Sequence, residues 1–420
     1  MKEARKMALD RSHCEALDAA DPLRDLRERF DVPSETIYLD GNSLGALPRT
    51  TAKRMEDVIR EEWGRGLIRS WNQHAWITLP QRVGAKLAHL LGARADEVVV
   101  ADSTSINIFK LLAGALATPG AKGRRVILSE RGNFPTDLYI AEGLNTLLGE
   151  KYVLKLVDGK GVVAALDNDV AVALITQVDY CSGRLHDMAQ LNARAKESGA
   201  RIIWDLSHSA GALPIDLNAH GAELAVGCGY KYLNGGPGAP AFAYVAKPLQ
   251  ATFATPLAGW FGHRNPFSFS DSYSPAPGIE RLLCGTPSVL ATAALECGID
   301  TFAGTSREAI RNKSLALSSL FRSATDQEWG GLGFSCITPI EPAARGSQLS
   351  FAHEHAYAIM QAIIDRGVIG DFRQPNLMRF GFTPLYTRFV DCWDAVASTR
   401  DVMRNGAWKA DKYHLRNRVT

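Results

Sequence analysis

Short apolar runs rich in β-branched residues recur through the first two thirds of the chain, at 98–101, 125–129, 172–176, 201–204 and 242–245. Helix-length segments such as 106–117 and 188–198 separate most of them. Strands that alternate with helices predict an α/β domain, a mixed and mostly parallel sheet covered by helices. Ligands of such sheets bind beyond the carboxyl ends of the strands, so chemistry is expected in the residues just after each run. From 261 to 286 the sequence turns rich in Ser, Pro, Gly and aromatics, and a loop that long is commonly functional or interfacial. Beyond it the pattern predicts a helix over 306–324, strands at 333–338 and 348–351, a helix over 354–365, a strand at 377–382 and a helix over 388–403. That sequence of elements suggests a smaller C-terminal α+β domain. The domains expected are an N-terminal arm and helix at 1–60, a large α/β domain at 61–300 and the small domain at 301–420.

Composition narrows the function. Of 420 residues, 46% are hydrophobic and 22% charged, which fits a folded globular protein and excludes disorder, collagen and coiled coil. Lys and Arg total 47 against 45 Asp and Glu, a formal charge of +2, so no global field holds a nucleic acid or an anionic membrane. The basic end, 408–420, is expected to be a solvated tail, and residues 1–30 an amphipathic or flexible arm. The seven cysteines, Cys14, Cys181, Cys228, Cys284, Cys297, Cys336 and Cys392, form no CxxC pair, which predicts a reducing compartment and no metal. The N-terminus lacks the apolar core of a secretory signal, and no apolar run approaches the ~18 residues of a membrane span. A cytoplasmic protein is expected.

Two segments suggest a specific chemistry. In Arg201-Ile-Ile-Trp-Asp205-Leu-Ser-His208 an apolar strand ends in an acid, with a histidine three residues on. About 25 residues later comes Gly227-Cys-Gly-Tyr230-Lys231-Tyr232-Leu-Asn-Gly235-Gly236, a lysine in a Gly- and Tyr-rich loop. A pyridoxal phosphate enzyme needs this pair: the amine forms a Schiff base with the aldehyde, and the carboxylate keeps the pyridine nitrogen protonated so that the ring accepts electrons. Taken singly, a strand-end Asp reads as a helix cap and a Lys between tyrosines as a surface residue. A phosphate site should accompany them. The run Asp102-Ser-Thr104-Ser105-Ile-Asn107 leads from a strand into a helix, aiming free N–H groups and the helix dipole at an anion. After the strand at 125–129, Arg131-Gly-Asn-Phe134-Pro135-Thr136-Asp137 offers an aromatic face and a second carboxylate; the alternative is a turn with a core Phe.

Together with these, Tyr38-Leu-Asp-Gly-Asn42-Ser43-Leu-Gly45, Gly229-Tyr-Lys231-Tyr-Leu-Asn-Gly235 and Arg379-Phe-Gly-Phe-Thr-Pro-Leu-Tyr386 resemble the kynureninase family, over residues 36 to 390 and in the family's order. That family belongs to the fold type I pyridoxal phosphate enzymes and is close to the class V aminotransferases. The resemblance implies hydrolysis of L-kynurenine to anthranilate and L-alanine, in tryptophan degradation, and leaves open whether 3-hydroxykynurenine, giving 3-hydroxyanthranilate, is also a substrate. It also implies pyridoxal 5'-phosphate as cofactor and a homodimer with shared active sites. Lys231 would be the Schiff-base lysine and proton carrier, Asp205 with Asp137 the partner of the pyridinium nitrogen, and Phe134 the stacking ring beside Pro135 and Thr136. Thr104, Ser105 and Tyr230 would hold the phosphate, and Tyr230 would also act as acid and base. Thr176 and His208 would line the cofactor pocket, and Trp260 and Thr286 would reach the neighbouring subunit's phosphate. Arg379 would clamp the substrate carboxylate, against a plain strand-edge Arg. Ser43 with Trp71 or His74 would bound the substrate's aromatic end, though a tryptophan there also reads as core.

Three rivals share parts of the pattern. A cysteine desulfurase needs a reactive cysteine in the small domain, where Cys336 and Cys392 fall in strand and helix patterns. An aminotransferase needs a keto acid co-substrate. A catalytically silent relative that only senses ligand has no use for Lys231, Asp205 and Arg379 together.

Overall fold

The computed structural model describes residues 9–416, which form two compact units. One comprises Arg49–Tyr180 and Leu185–Asp300; the other comprises the chain up to Pro48, Cys181–Arg184 and the chain from Thr301. The segment 1–60 is therefore not a separate arm. Its described part up to Pro48 clusters with the C-terminal residues, and Arg49–Asp57 is a helix of the larger unit.

The larger unit is built on a seven-stranded sheet. Its strands are β1 (Val98–Val100), β2 (Val126–Glu130), β3 (Val153–Val157), β4 (Val170–Thr176), β5 (Arg201–Asp205), β6 (Leu224–Gly227) and β7 (Phe242–Val245). They lie in the order β1-β7-β6-β5-β4-β2-β3, and only β7 runs against its neighbours. All of β1, β2, β4, β6 and β7 is buried, the signature of strands covered on both faces. The covering helices include α1 (Leu79–Leu91), α2 (Thr104–Leu116), α3 (Pro135–Leu147), α4 (Met188–Ser198) and α5 (Val289–Asp300). Ile108, Leu111 and Leu112 of α2 join Ile127, Val172, Leu174 and Ile203 of the sheet in one apolar cluster. The register places Thr176 at the end of β4 opposite Asp205 at the end of β5.

The smaller unit has a four-stranded antiparallel sheet of β8 (Ser335–Cys336), β9 (Gln348–Ala352), β10 (Asp371–Arg373) and β11 (Leu377–Gly381), ordered β10-β11-β9-β8. Helices α6 (Arg307–Glu328), α7 (Ala356–Ile364) and α8 (Phe389–Arg404) pack with it around Phe321, Phe351, Phe380 and Phe382. The expected strand over 333–338 shrinks to the two residues of β8.

Both expected tails prove to be packed where they are described. Helix Arg11–Ala20 buries Cys14 completely. The Asp18 carboxylate accepts the free N–H groups of Phe389 at 2.6 Å and Val390 at 2.9 Å, which caps α8. At the other end Trp408 stacks on His355 at 4.4 Å, and the Tyr357 hydroxyl donates to the Leu415 carbonyl at 3.0 Å. The expected arm and solvated tail are thus structural over 9–30 and 408–416; residues 1–8 and 417–420 lie outside the described residues.

Candidate active site

Lys231 sits in a loop whose shape its glycines permit. A Cβ on Gly229 would fall 2.4 Å from the Pro240 carbonyl oxygen, and one on Gly235 would fall 2.7 Å from that of Gly229. Any larger residue would push the loop apart. Asn234 adopts a left-handed φ of 57°, and its N–H donates to the Lys231 carbonyl at 2.9 Å, closing the turn. Lys231 is half-buried, and its Nζ lies 2.9 Å from Nε2 of His208. An ammonium has no lone pair, so the imidazole accepts. The same Nζ is 5.9 Å from the Phe134 ring centroid and 5.8 Å from that of Tyr230.

Phe134 is not a core residue. Its ring is 40% exposed, with Tyr180 edge-on at 5.3 Å. It precedes Pro135, the first residue of α3, which starts a helix without losing a hydrogen bond. Asp137 follows in the first turn and is buried, as is Asp205. Burial, then the charge of Asp205, drives the Asp137 carboxyl well above its ordinary range. Burial raises Asp205 too, opposed by hydrogen bonding from the Ser207 side chain, by the charge of Lys231 and by the Ser207 N–H, which donates at 2.8 Å. Asn133, buried, ties these segments together. Its amide donates to the Ser129 hydroxyl at 3.1 Å, and its carbonyl accepts the Phe134 N–H at 2.7 Å and the Thr176 hydroxyl.

Thr104 and Ser105 open α2, capped by Ser103, whose hydroxyl accepts from the Ile106 N–H at 3.4 Å. Exposed Thr286 lines a small cleft with Asp102, Pro240 and Ser288. Trp260 is half-buried against Phe261 at 5.0 Å and Phe267 at 5.7 Å. Trp71 packs between Trp76 and Phe261, at 6.3 and 6.1 Å, while His74 is exposed.

The donor set fits pyridoxal phosphate. Two buried carboxyls that are costly to ionise call for a cation, which a protonated ring nitrogen supplies. A lysine stands next to an exposed aromatic face suited to a flat ring, and a capped helix N-terminus suits a phosphate. Among the described residues no group of His, Cys, Asp and Glu could hold a metal ion.

In the smaller unit, Arg379 on β11 is almost wholly buried and paired in bidentate fashion with Asp371. Its Nε donates to Asp371 Oδ1 at 2.7 Å and its Nη2 to Oδ2. Ser43 donates to Asp371 Oδ2 at 2.7 Å and accepts from Arg379 at 3.3 Å. It arrives there because Leu39 exchanges backbone hydrogen bonds with Ile369 and Gly381, where a Cβ would strike the Asn42 side chain. Arg379 is therefore no strand-edge residue facing water. The sequence reading missed Asp371, Asn133 and Tyr180. An acid two positions from an arginine in Asp371-Phe-Arg373, shortly before Arg379, was the one signal for Asp371.

Asp40, in the same cluster, is pushed up to about 7 from 3.8 by burial and then by the charge of Asp371. A raised acid loses folding stability as pH climbs from its unfolded to its folded value. The stability advantage of Asp40→Asn over the parent should therefore grow between about pH 4 and about pH 7 and then level off. Thermal melts across that range check this; a difference independent of pH would contradict it.

The larger unit's sheet order, with the lysine, ring face and acids gathered beyond its strand ends, defines the fold type I class of pyridoxal phosphate enzymes. Solved structures share the fold. A cysteine desulfurase from Thermococcus onnurineus superposes with a TM-score of 0.75 at 20% identity, covering 91% of this chain and 98% of that one. One from Escherichia coli gives 0.76 at 17% identity with the same coverage. Sequence relatives are more specific. The kynureninase of Burkholderia mallei (strain SAVP1) is 53% identical over 408 residues, 96% of this chain and 98% of the relative. That of Pseudomonas fluorescens is 50% identical over 413 residues, 98% and 99% of the two chains. The family model described as the kynureninase C-terminal domain matches residues 310–398. The chain belongs to the kynureninase family.

Proposed function

We infer that the chain hydrolyses the Cβ–Cγ bond of L-kynurenine, giving anthranilate and L-alanine, with pyridoxal 5'-phosphate as cofactor. The observation that carries the reading is Lys231 beside His208 and the Phe134 face, with the acids Asp137 and Asp205 buried nearby. When bound, the cofactor holds the amino acid covalently and draws electron density from its Cα.

The chain's residues supply the rest. Lys231 would hold the cofactor's aldehyde carbon through its amine and, when that amine is free, would serve as general base for the substrate's Cα proton. Asp205, supported by Asp137, holds the proton on the ring nitrogen by charge. Phe134 orients the ring, with Pro135 and Thr136 fixing the helix start behind it. Thr176 and His208 border the pocket. Thr104, Ser105 and the Tyr230 hydroxyl bind the phosphate. Burial raises the Tyr230 phenol, so it stays protonated at neutral pH and can donate a proton during addition of water to the γ-carbonyl. Arg379 binds the substrate carboxylate, and Ser43, with Trp71 or His74, borders the substrate.

Held rigid by its carboxylate, Arg379 should depend on Asp371. Loss of one charge-assisted contact is worth about 1.5 to 3 kcal/mol, so Asp371→Asn should raise KM roughly tenfold or more and leave kcat within about threefold. Steady-state kinetics decide; a fall in kcat at unchanged KM would contradict the assignment.

The active unit is a homodimer in which Trp260 and Thr286 serve the partner's phosphate site. Supporting it, Ile59, Trp63, Leu67 and Ile68 expose a run of large apolar side chains. No described helix is long and apolar enough to cross a membrane, and the protein works in the cytoplasm without nucleic-acid or membrane partners. Desulfurase chemistry is disfavoured because burial raises the thiols of Cys336 and Cys392, away from the reactive thiolate.

Purified protein with pyridoxal phosphate and L-kynurenine should yield fluorescent anthranilate, with the 3-hydroxy substrate run in parallel. Sulfide from cysteine without anthranilate from kynurenine would overturn the reading.

A further inference from the structure

Lys110 is the one charged residue of α2 and is buried, next in sequence to Leu111 and Leu112 of the apolar cluster. Its side chain is 1% exposed. A buried ammonium persists only when paired, and helical side chains lean toward the N-terminus, so Lys110 reaches back to the helix start. There it forms an ion pair with Asp102, and its Nζ donates to the Leu282 carbonyl at 2.6 Å. Asp102 takes a left-handed φ of 50° directly before the cap residue Ser103, with its carbonyl accepting the Ala241 N–H at 2.9 Å.

Two features of this pair are hard to assign to folding alone. A cation directed at a helix N-terminus opposes the dipole. An acid two residues before Thr104 places negative charge where the site, on the reading above, receives a phosphate dianion. The two charges cancel only together.

We propose that Lys110 is a positioning residue whose ammonium neutralises Asp102 and keeps the N-terminus of α2 receptive to the cofactor's phosphate. The proposal rests on the assignment of Thr104 and Ser105 to that phosphate. Its contact with Leu282 also ties the helix to the segment leading to Thr286.

The test measures the dissociation constants of pyridoxal phosphate and of pyridoxal, which lacks the phosphate, by spectral titration of the full-length protein stripped of cofactor. The ratio of the two isolates the phosphate contribution. In Lys110→Met the preference for the phosphorylated form should fall roughly tenfold, the scale of one unfavourable charge at a partly buried helix start. In Asp102→Asn, where Asn tolerates the left-handed φ, the preference should equal or exceed that of the parent. The double variant should recover to within about threefold of the parent, which a purely structural brace would not do. An undiminished preference in Lys110→Met, a double variant as poor as Lys110→Met, or a loss in Asp102→Asn would each overturn the proposal. Should Lys110→Met fail to fold, Asp102→Asn and the double variant still decide. A parent that binds both forms equally would instead refute the phosphate assignment itself.

Discussion

Lys231→Ala protein is expected to bind pyridoxal phosphate without the visible absorption of covalently held cofactor and to lose steady turnover of kynurenine. A positioned proton carrier alone contributes ~10² to 10⁴ in rate, and Lys231 is assigned the covalent hold as well, so the loss should be at least ~10³-fold. The geometry leaves little chance of substitution by a neighbour. His208 lies 2.9 Å from Nζ, but an imidazole cannot form the covalent link. An exogenous small amine should restore part of the proton transfer in this variant. Stopped-flow spectra with kynurenine check the outcome; turnover within about tenfold of the parent would remove the lysine from the reaction.

The second large effect concerns Asp205. Asp205→Ala should lower kcat by ~10² to 10³, the scale of losing one preorganised charge contact. Asp205→Asn should be almost as damaging, because shape without charge cannot keep a ring nitrogen protonated. Asp137 is the natural replacement carboxylate, since the charge of Asp205 helps to raise its pKa. Removing Asp205 should therefore lower the Asp137 value and leave some residual activity that the double variant loses. Steady-state rates for the two single variants and the double variant check this, with near-parental activity in Asp205→Ala as the contradicting result.

The residues to which bond-making chemistry is assigned were legible in the sequence because that chemistry restricts them to a few types at fixed places. An acid ending an apolar strand and a lysine in a glycine-rich loop remain recognisable without knowing their neighbours. Supporting residues were not legible. Asp371 matters through a bidentate pairing with Arg379 that exists only because β10 and β11 lie side by side. Asn133 matters because, from the turn after β2, it reaches across to Thr176 at the end of β4. Of the sheet, the β-branched strands were visible. The strand Val153–Val157 hides behind a lysine and an exposed edge, and Leu224–Gly227 carries a single β-branched residue. The N-terminal residues read as an arm because the value of Asp18 lies in capping a helix some 370 positions away.

The central claim is a covalent bond between Lys231 and the cofactor, and reductive trapping tests it most directly. Borohydride treatment of the protein loaded with pyridoxal phosphate, then proteolysis and mass spectrometry, should place the pyridoxyl phosphate mass on the peptide containing Lys231. Label on a different lysine, or none at all on a protein that turns over kynurenine, would contradict the account.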